Sequence, residues 1–356
     1  MVTTEEYALR DKIEENLVDM FQPVRPFSPN ESHIVDKYKD GSFGVSTLSF
    51  ALYSNGNNLR GKSNNPFGLI YEDGNNLFSI GYFKRELDTR DSEGYITIVA
   101  PRGRDLESNC DCIAQFTEEV LKSDIPCKGI YARFLNLNQY KSLLNKDFLP
   151  IEESPWHPEA FKEDDTYNNS IVDINSPSKE IKRNTNRFNN FLKRNSLSYS
   201  LNKFSQYDVD YARNILKSHF SMLSKSGKMI GSTPEDHHNS IDLEILNLTG
   251  VSAWMGHLGD APVSFFVGES LSNNEFGLYT GYTLREAKKL NFHRVNDWTG
   301  FTAIPTYSYS ILIEKLKKLN FNKLNFGGSE LPSLNRYKRR LGAKHDPTYW
   351  VFKPKN

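Results

Sequence analysis

Near its C-terminal end the chain reads Leu324-Asn-Phe-Gly-Gly-Ser-Glu330 and then Leu334-Asn-Arg-Tyr-Lys-Arg-Arg-Leu-Gly-Ala343. Lys323 to Phe326 predicts a short buried strand that empties into the Gly327-Gly328 turn, with a helix after it. Glycine has no Cβ, so such a turn lets a ligand approach backbone N–H groups, and the start of a following helix favours an anion. Lys338, Arg339 and Arg340 bring positive charge to the same region. Without a ligand, the same letters describe a glycine turn and a solvated basic helix end.

Working outward, the second half predicts helices over Lys179–Arg194 and Tyr207–Leu223. The latter carries Ala212, Ile215, Leu216 and Phe220 on one side. Val251–Leu258, Val263–Ser270 and Phe276–Tyr282 read as strands, parted by Gly259-Asp-Ala-Pro262 and Ser272-Asn-Asn274. Phe292–Trp298 reads as a further strand. Tyr309, Leu312, Ile313 and Leu316 stripe a helix that ends near Asn320, and Tyr349–Phe352 closes the chain as a strand.

The first half shows a similar plan. Glu5–Phe21 spaces Leu9, Ile13, Leu17 and Phe21 as a helix does. Phe43–Tyr53, Phe67–Glu72 and Leu77–Phe83 read as extended, the last two joined by a hairpin turn at Asp73-Gly-Asn-Asn76. Tyr95–Ala100 is a buried strand running into Pro101-Arg-Gly-Arg-Asp105, then a helix through Ile113, Phe116, Val120 and Leu121, then a strand at Ile130–Phe134. Prolines and acidic residues between Pro155 and Ser178 mark a junction, giving domains 1–165 and 166–356. The expected class is α/β of the mixed α+β kind. Each half is a mostly antiparallel mixed sheet flanked by helices, alike in element order rather than in letters.

Composition narrows the function. With 356 residues, 38% hydrophobic, 13% aromatic and 25% charged, the chain has enough apolar matter for two cores. Its formal net charge of +0 supplies no whole-chain field for nucleic acid and leaves only a local basic patch. Three cysteines, Cys110, Cys112 and Cys127, make a poor disulfide framework and point to a reducing, cytoplasmic setting. No second ligand pair accompanies Cys110 and Cys112, and His237-His238 reads as a loop, so no metal site is expected. The acidic N-terminus lacks the pattern of a signal peptide, and no stretch approaches the roughly 20 apolar residues of a membrane span. Hydrolase triads, a Walker loop and a dinucleotide fingerprint are missing.

Two stretches carry a resemblance. The string 324–343 resembles the C-terminal signature of FemAB-type transferases, a strand and glycine turn before a helix with a Tyr-Lys pair and then a glycine. Asp164-Asp-Thr-Tyr-Asn168, followed by Lys182-Arg-Asn-Thr-Asn-Arg-Phe-Asn-Asn-Phe191, is similar to the C-terminal domain of phosphatidylglycerol lysyltransferases. The resemblance implies a tandem GNAT-like (acyl-CoA N-acyltransferase-like) fold. It also implies an acyltransferase that moves an aminoacyl group from tRNA, or an acyl group from a thioester, to an amine or hydroxyl. By position Lys338 matches the lysine placed to stabilise developing negative charge, with Tyr337 beside it. Arg183 and Arg187 match the basic helix and would bind the donor, and the neighbouring lysines read as a solvated face.

Acid–base candidates at predicted strand ends and turns are His257, Tyr282, Asp297 and Glu330. Asp297 and Glu330 are read as catalytic; Tyr282, Tyr337, Gly327 and Gly328 are read as substrate-binding. No cofactor is required, and the donor is either aminoacyl-tRNA or acyl-CoA. Thr299-Gly-Phe-Thr-Ala-Ile-Pro-Thr306 departs from the phosphate loop of coenzyme-A-dependent relatives, which disfavours the second donor. The acceptor is a small-molecule or peptide amine, and no lipid acceptor is implied. Two alternatives stand beside this reading, an acyl-CoA-dependent N-acyltransferase and a non-catalytic GNAT-fold binding protein. At Val99-Ala-Pro-Arg-Gly-Arg-Asp105 a phosphate cradle competes with an unliganded helix cap, and Asp105 favours the cap.

Overall fold

The computed structural model describes residues 4–53, 67–83, 93–151, 168–225, 243–284, 290, 298, 300–328 and 332–355. Asp297, Glu330, His237, His238, most of the strand expected at Phe292–Trp298 and the 165/166 boundary lie outside them. The chain forms two compact units. One comprises Met1–Ser170, Gly327–Asn335 and His345–Asn356; the other comprises Ile171–Phe326 and Arg336–Lys344.

The first unit opens with α1 (Thr4–Met20), β1 (Val24–Pro26), α2 (Ser32–Asp36) and α3 (Thr47–Tyr53). There follow β2 (Leu69–Glu72), β3 (Asn76–Phe83), β4 (Gly94–Gly103), α4 (Leu106–Lys122), β5 (Cys127–Leu135), α5 (Leu137–Leu144) and β6 (Leu149–Pro150). The hairpin between β2 and β3 closes as its letters require. The Asp73 carboxylate accepts the N–H groups of Asn75 and Asn76 at 2.8 and 2.7 Å, and Gly74 takes φ 85°. Asp105 caps α4 by accepting the Ser108 N–H at 2.8 Å, and the helix buries Cys110, Ile113, Phe116 and Val120 in the core. All three cysteines are free thiols.

Two expectations need correcting here. Phe43–Tyr53 is not extended throughout, because 47–53 is helical. Residues Phe43 to Leu52 are buried on every side, so the run has no period to separate strand from helix. Ser46 decides it locally, its hydroxyl accepting the Ser49 N–H at 3.0 Å as an N-cap. β4 also runs past Ala100 to Gly103. Its Pro101 is tolerated because the ladder slips there: Leu77 faces Arg102 while Ser79 faces Val99.

The second unit holds β7 (Asn169–Asp173), α6 (Lys179–Arg194), β8 (Tyr199–Lys203), α7 (Val209–Lys225), α8 (Leu243–Leu246), β9 (Val251–Leu258), β10 (Ala261–Ser270) and β11 (Glu275–Thr283). α9 (Ile304–Lys318), β12 (Lys323–Asn325), α10 (Pro332–Arg340), β13 (Lys344–Asp346) and β14 (Tyr349–Pro354) complete the chain. The two seven-stranded sheets are β1-β2-β3-β4-β5-β14-β6 and, written in the matching direction, β8-β9-β10-β11-β12-β7-β13. Each has a single parallel pair among the described pairings, β4 with β5 and β11 with β12. The two sheets therefore repeat one plan.

In each sheet the sixth strand is out of chain order. β14 pairs antiparallel with β5 and β6, and β7 pairs antiparallel with β12. The closing strand assigned by chain order to the second domain thus completes the first sheet. There Val351 is fully buried, and Phe352 stacks on Tyr131 with ring centroids 4.5 Å apart. Among the described residues no helix is long and apolar enough to cross a membrane.

Candidate functional site

In the second unit the parallel pair β11–β12 is short. It holds from Glu275 opposite Lys323 to Gly277 opposite Asn325 and no further. On the other side of β11, Val267 of β10 faces Thr280 but Gly268 faces Leu278. Tyr279 is the extra residue of a β-bulge, which bends a strand. From Leu278 onward β11 has no β12 partner among the described pairings. The Tyr309 hydroxyl of α9 donates to the Gly281 carbonyl on this stretch at 3.3 Å.

Lys338 reaches the end of β12 from α10. It is only 6% exposed, and its Nζ donates to the Phe326 carbonyl at 2.8 Å, fixing an ammonium where β12 ends. Tyr309 packs against Phe326 and Tyr337 with centroids 5.5 and 6.3 Å apart, an aromatic wall beside that lysine. The C-terminal end of α10 meets the N-terminus of α6. Ser178 caps α6 by accepting the Ile181 N–H at 3.2 Å and donates its hydroxyl to the Arg340 carbonyl at 2.9 Å.

On α6, Ile181, Phe188, Phe191 and Leu192 are buried, while Arg183 and Arg187 are exposed. Arg187, Asn190, Lys193 and Arg194 line a shallow depression of about 380 Å³. Lys193, read from the sequence as part of a solvated face, and Arg194 therefore join Arg187. The helical spacing was available as a signal, because 183, 187, 190 and 194 fall on one stripe. Lys338 does not line this depression.

Other candidates are scattered. The Tyr282 ring lies on the α7 side of β11, its centroid 4.9 Å from that of His219, a residue the sequence reading passed over. His257 sits on β9, with the whole of β10 between it and β11, about 10 Å away at ordinary strand spacing. Gly327, in the first unit, takes φ 62° and its carbonyl accepts the Ser170 N–H at 3.0 Å. A Cβ there would lie 2.6 Å from the Phe43 ring, so packing alone requires a glycine at this position. Gly328 beside it is half-buried.

The repeated sheet order, with a parallel pair at the same place in each sheet, decides the architecture. The fold is the tandem GNAT-like one. Solved structures share it at low identity. A conserved protein of unknown function from Bacteroides thetaiotaomicron matches with TM-score 0.60 and 12% identity, over 93% of this chain and 99% of that one. FemX matches with TM-score 0.58 and 10% identity, over 92% and 96%. The C-terminal domain of a putative lysylphosphatidylglycerol synthetase from Agrobacterium fabrum matches with TM-score 0.50 and 10% identity, over 92% and 93%. The FemAB-like and lysylphosphatidylglycerol-synthetase-like fold expected from the sequence is thus present. No family model and no curated protein matches the sequence.

Proposed function

We propose that the chain is an acyltransferase that moves an aminoacyl group from tRNA to an amine or hydroxyl, with the chemistry beside Lys338, where the β11–β12 pairing stops. The observation that carries this reading is the buried ammonium of Lys338, held on the Phe326 carbonyl where the β11–β12 pairing stops. In this reading the acceptor amine attacks the ester carbonyl of the donor. The carbonyl oxygen takes the negative charge, which Lys338 stabilises. The tetrahedral intermediate then expels the sugar hydroxyl, which takes up a proton as it leaves. Fixed charge aimed at a developing oxyanion is commonly the largest single contribution to acyl transfer.

Asp297 and Glu330 are the carboxylates assigned to deprotonate the amine, with Tyr282, Tyr337 and Gly328 contacting substrate. Arg183 and Arg187, joined by Lys193 and Arg194, hold donor phosphates. An acyl-CoA donor fits less well. The start of α9, where a coenzyme-binding turn belongs, is packed with Phe301, Ala303 and Ile304, each no more than 3% exposed. Phe301 also lies against Trp298, with ring centroids 5.3 Å apart.

The test is donor consumption by the full chain against a panel of charged tRNAs and acyl-CoAs. Deacylation of tRNA that depends on an added amine or hydroxyl is expected, with Lys338→Ala slower by about a hundredfold. Consumption of thioester alone would transfer the reading to the acyl-CoA enzyme, and consumption of neither to a binding protein.

A further inference from the structure

A cavity of about 640 Å³ opens in the first unit where β4 runs into α4, within the size range of small-molecule sites. Its floor is a fixed polar chain. Gln139 donates to the Pro101 carbonyl at 2.7 Å and to Asn109 Oδ1 at 3.0 Å, and Asn109 donates to Asn76 Oδ1 at 3.1 Å. None of these three side-chain residues is more than 4% exposed. The floor is therefore built, polar and satisfied.

The charges on its walls divide into two groups. Lys39 is bonded to Asp36 at 2.7 Å and Arg102 to Asp40 at 2.6 Å, so those cations are already matched. Lys37, Arg104, Glu72 and Asp105 also line the cavity, two cations and two anions. Both signs act at one point on the wall. The Tyr38 hydroxyl is pushed above its ordinary range, by burial first and then by Glu72 and Asp73, while Arg104 pulls it back.

The two strands that lead to the cavity-lining residues Arg102 and Asn136 are closed to one another. β4 and β5 kink side by side, at Ala100 with φ 47° and Phe134 with φ 59°, just past their last paired residues, Val99 and Arg133. Gly44 is wedged into that parting so closely that a Cβ on it would lie 2.8 Å from the Ala100 Cβ and 2.9 Å from the Phe134 Cβ. A ligand with a long arm, such as a coenzyme thioester, cannot thread between these strands. A ligand seated here is held by the cavity walls alone. A simple anion would meet Glu72 and Asp105, and a simple cation would meet Lys37 and Arg104. A ligand carrying both charges meets a partner for each.

We propose that this cavity binds a compact zwitterion of the amino-acid or short-peptide class. The carboxylate sits on Lys37 and Arg104, and the ammonium on Glu72 and Asp105. The assignment is independent of the transfer reaction and would stand if that reaction failed.

Calorimetric titration of the full chain tests it, with glycyl-alanine, its N-acetylated form, its C-terminal amide and inorganic phosphate as the probes. The free dipeptide is expected to bind, and each blocked form to bind at least about tenfold more weakly, the loss of one charged contact. Arg104→Gln and Glu72→Gln, both at solvent-accessible positions, are each expected to weaken the free dipeptide by a similar factor with the melting temperature unchanged. Phosphate binding as tightly as the dipeptide, blocked dipeptides binding as tightly as the free one, variants binding normally, or no heat from any probe at millimolar concentration would each overturn the proposal.

Discussion

Burial works to raise the pKa of the Asp40 carboxyl, but the Arg102 guanidinium and the hydrogen bonds from Ser42 and Arg102 outweigh it and hold the group below the ordinary carboxylate range. A carboxyl whose folded pKa is depressed stabilises the fold above its unfolded value, near pH 4, and loses that contribution as pH falls through the lower folded value. The Asp40 side chain keeps 42% of its exposure, so the contribution is about 1 kcal/mol or less. Urea midpoints of Asp40→Asn and the parent protein should differ at pH 6 and converge below pH 4; a constant gap across that range would refute the pairing. Gly44 is a packing matter. The Cβ atoms of Ala100 and Phe134 are fixed to the backbone and cannot swing aside, so Gly44→Ala should cost about 1–3 kcal/mol in urea unfolding. At this scale the sequence was legible where a feature resides in one side chain. Lys338 could be picked out by its place after a strand, a turn and a tyrosine. Gly327 could be read as a turn glycine, but its neighbour Phe43 is 284 positions away and no local pattern reports such a contact. The bulge left no trace either, since Tyr279 is an ordinary strand residue.

Among elements, α6 makes the sharpest forecast. Its apolar stripe anchors it while Arg187, Lys193 and Arg194 face a common depression, an arrangement suited to a polyanion's backbone. Arg187→Glu should weaken tRNA binding and flatten the slope of log affinity against log salt by about one to two counterions, as filter binding at several salt concentrations would reveal. An unchanged slope would take Arg187 out of the interface. Strands with turn letters at both ends, such as β9 to β11, were readable with small shifts in their boundaries. α3 was not, because its segment is buried on every side and only the Ser46 cap distinguishes helix from strand. The continuation of β4 through Pro101 was hidden for a related reason: proline marks a turn in most settings but is accepted at a slipped ladder.

Across the whole molecule, the tandem plan could be recovered from element order, because periodicity survives where letters diverge. What order could not supply is strand partnership, which depends on edges that form only in three dimensions. The position of β14 between β5 and β6 has a temporal consequence during synthesis. β6 leaves the ribosome about 200 residues before β14, a lag of roughly 10–40 seconds at ordinary elongation rates. Throughout that interval β5 offers an unpaired flank, the kind of surface that recruits chaperones or a neighbouring nascent chain. Removing residues 345–356 should therefore leave the amides of β9–β11 protected in hydrogen exchange while those of β4 and β5 lose protection. The half of the protein made first is the half that finishes folding last.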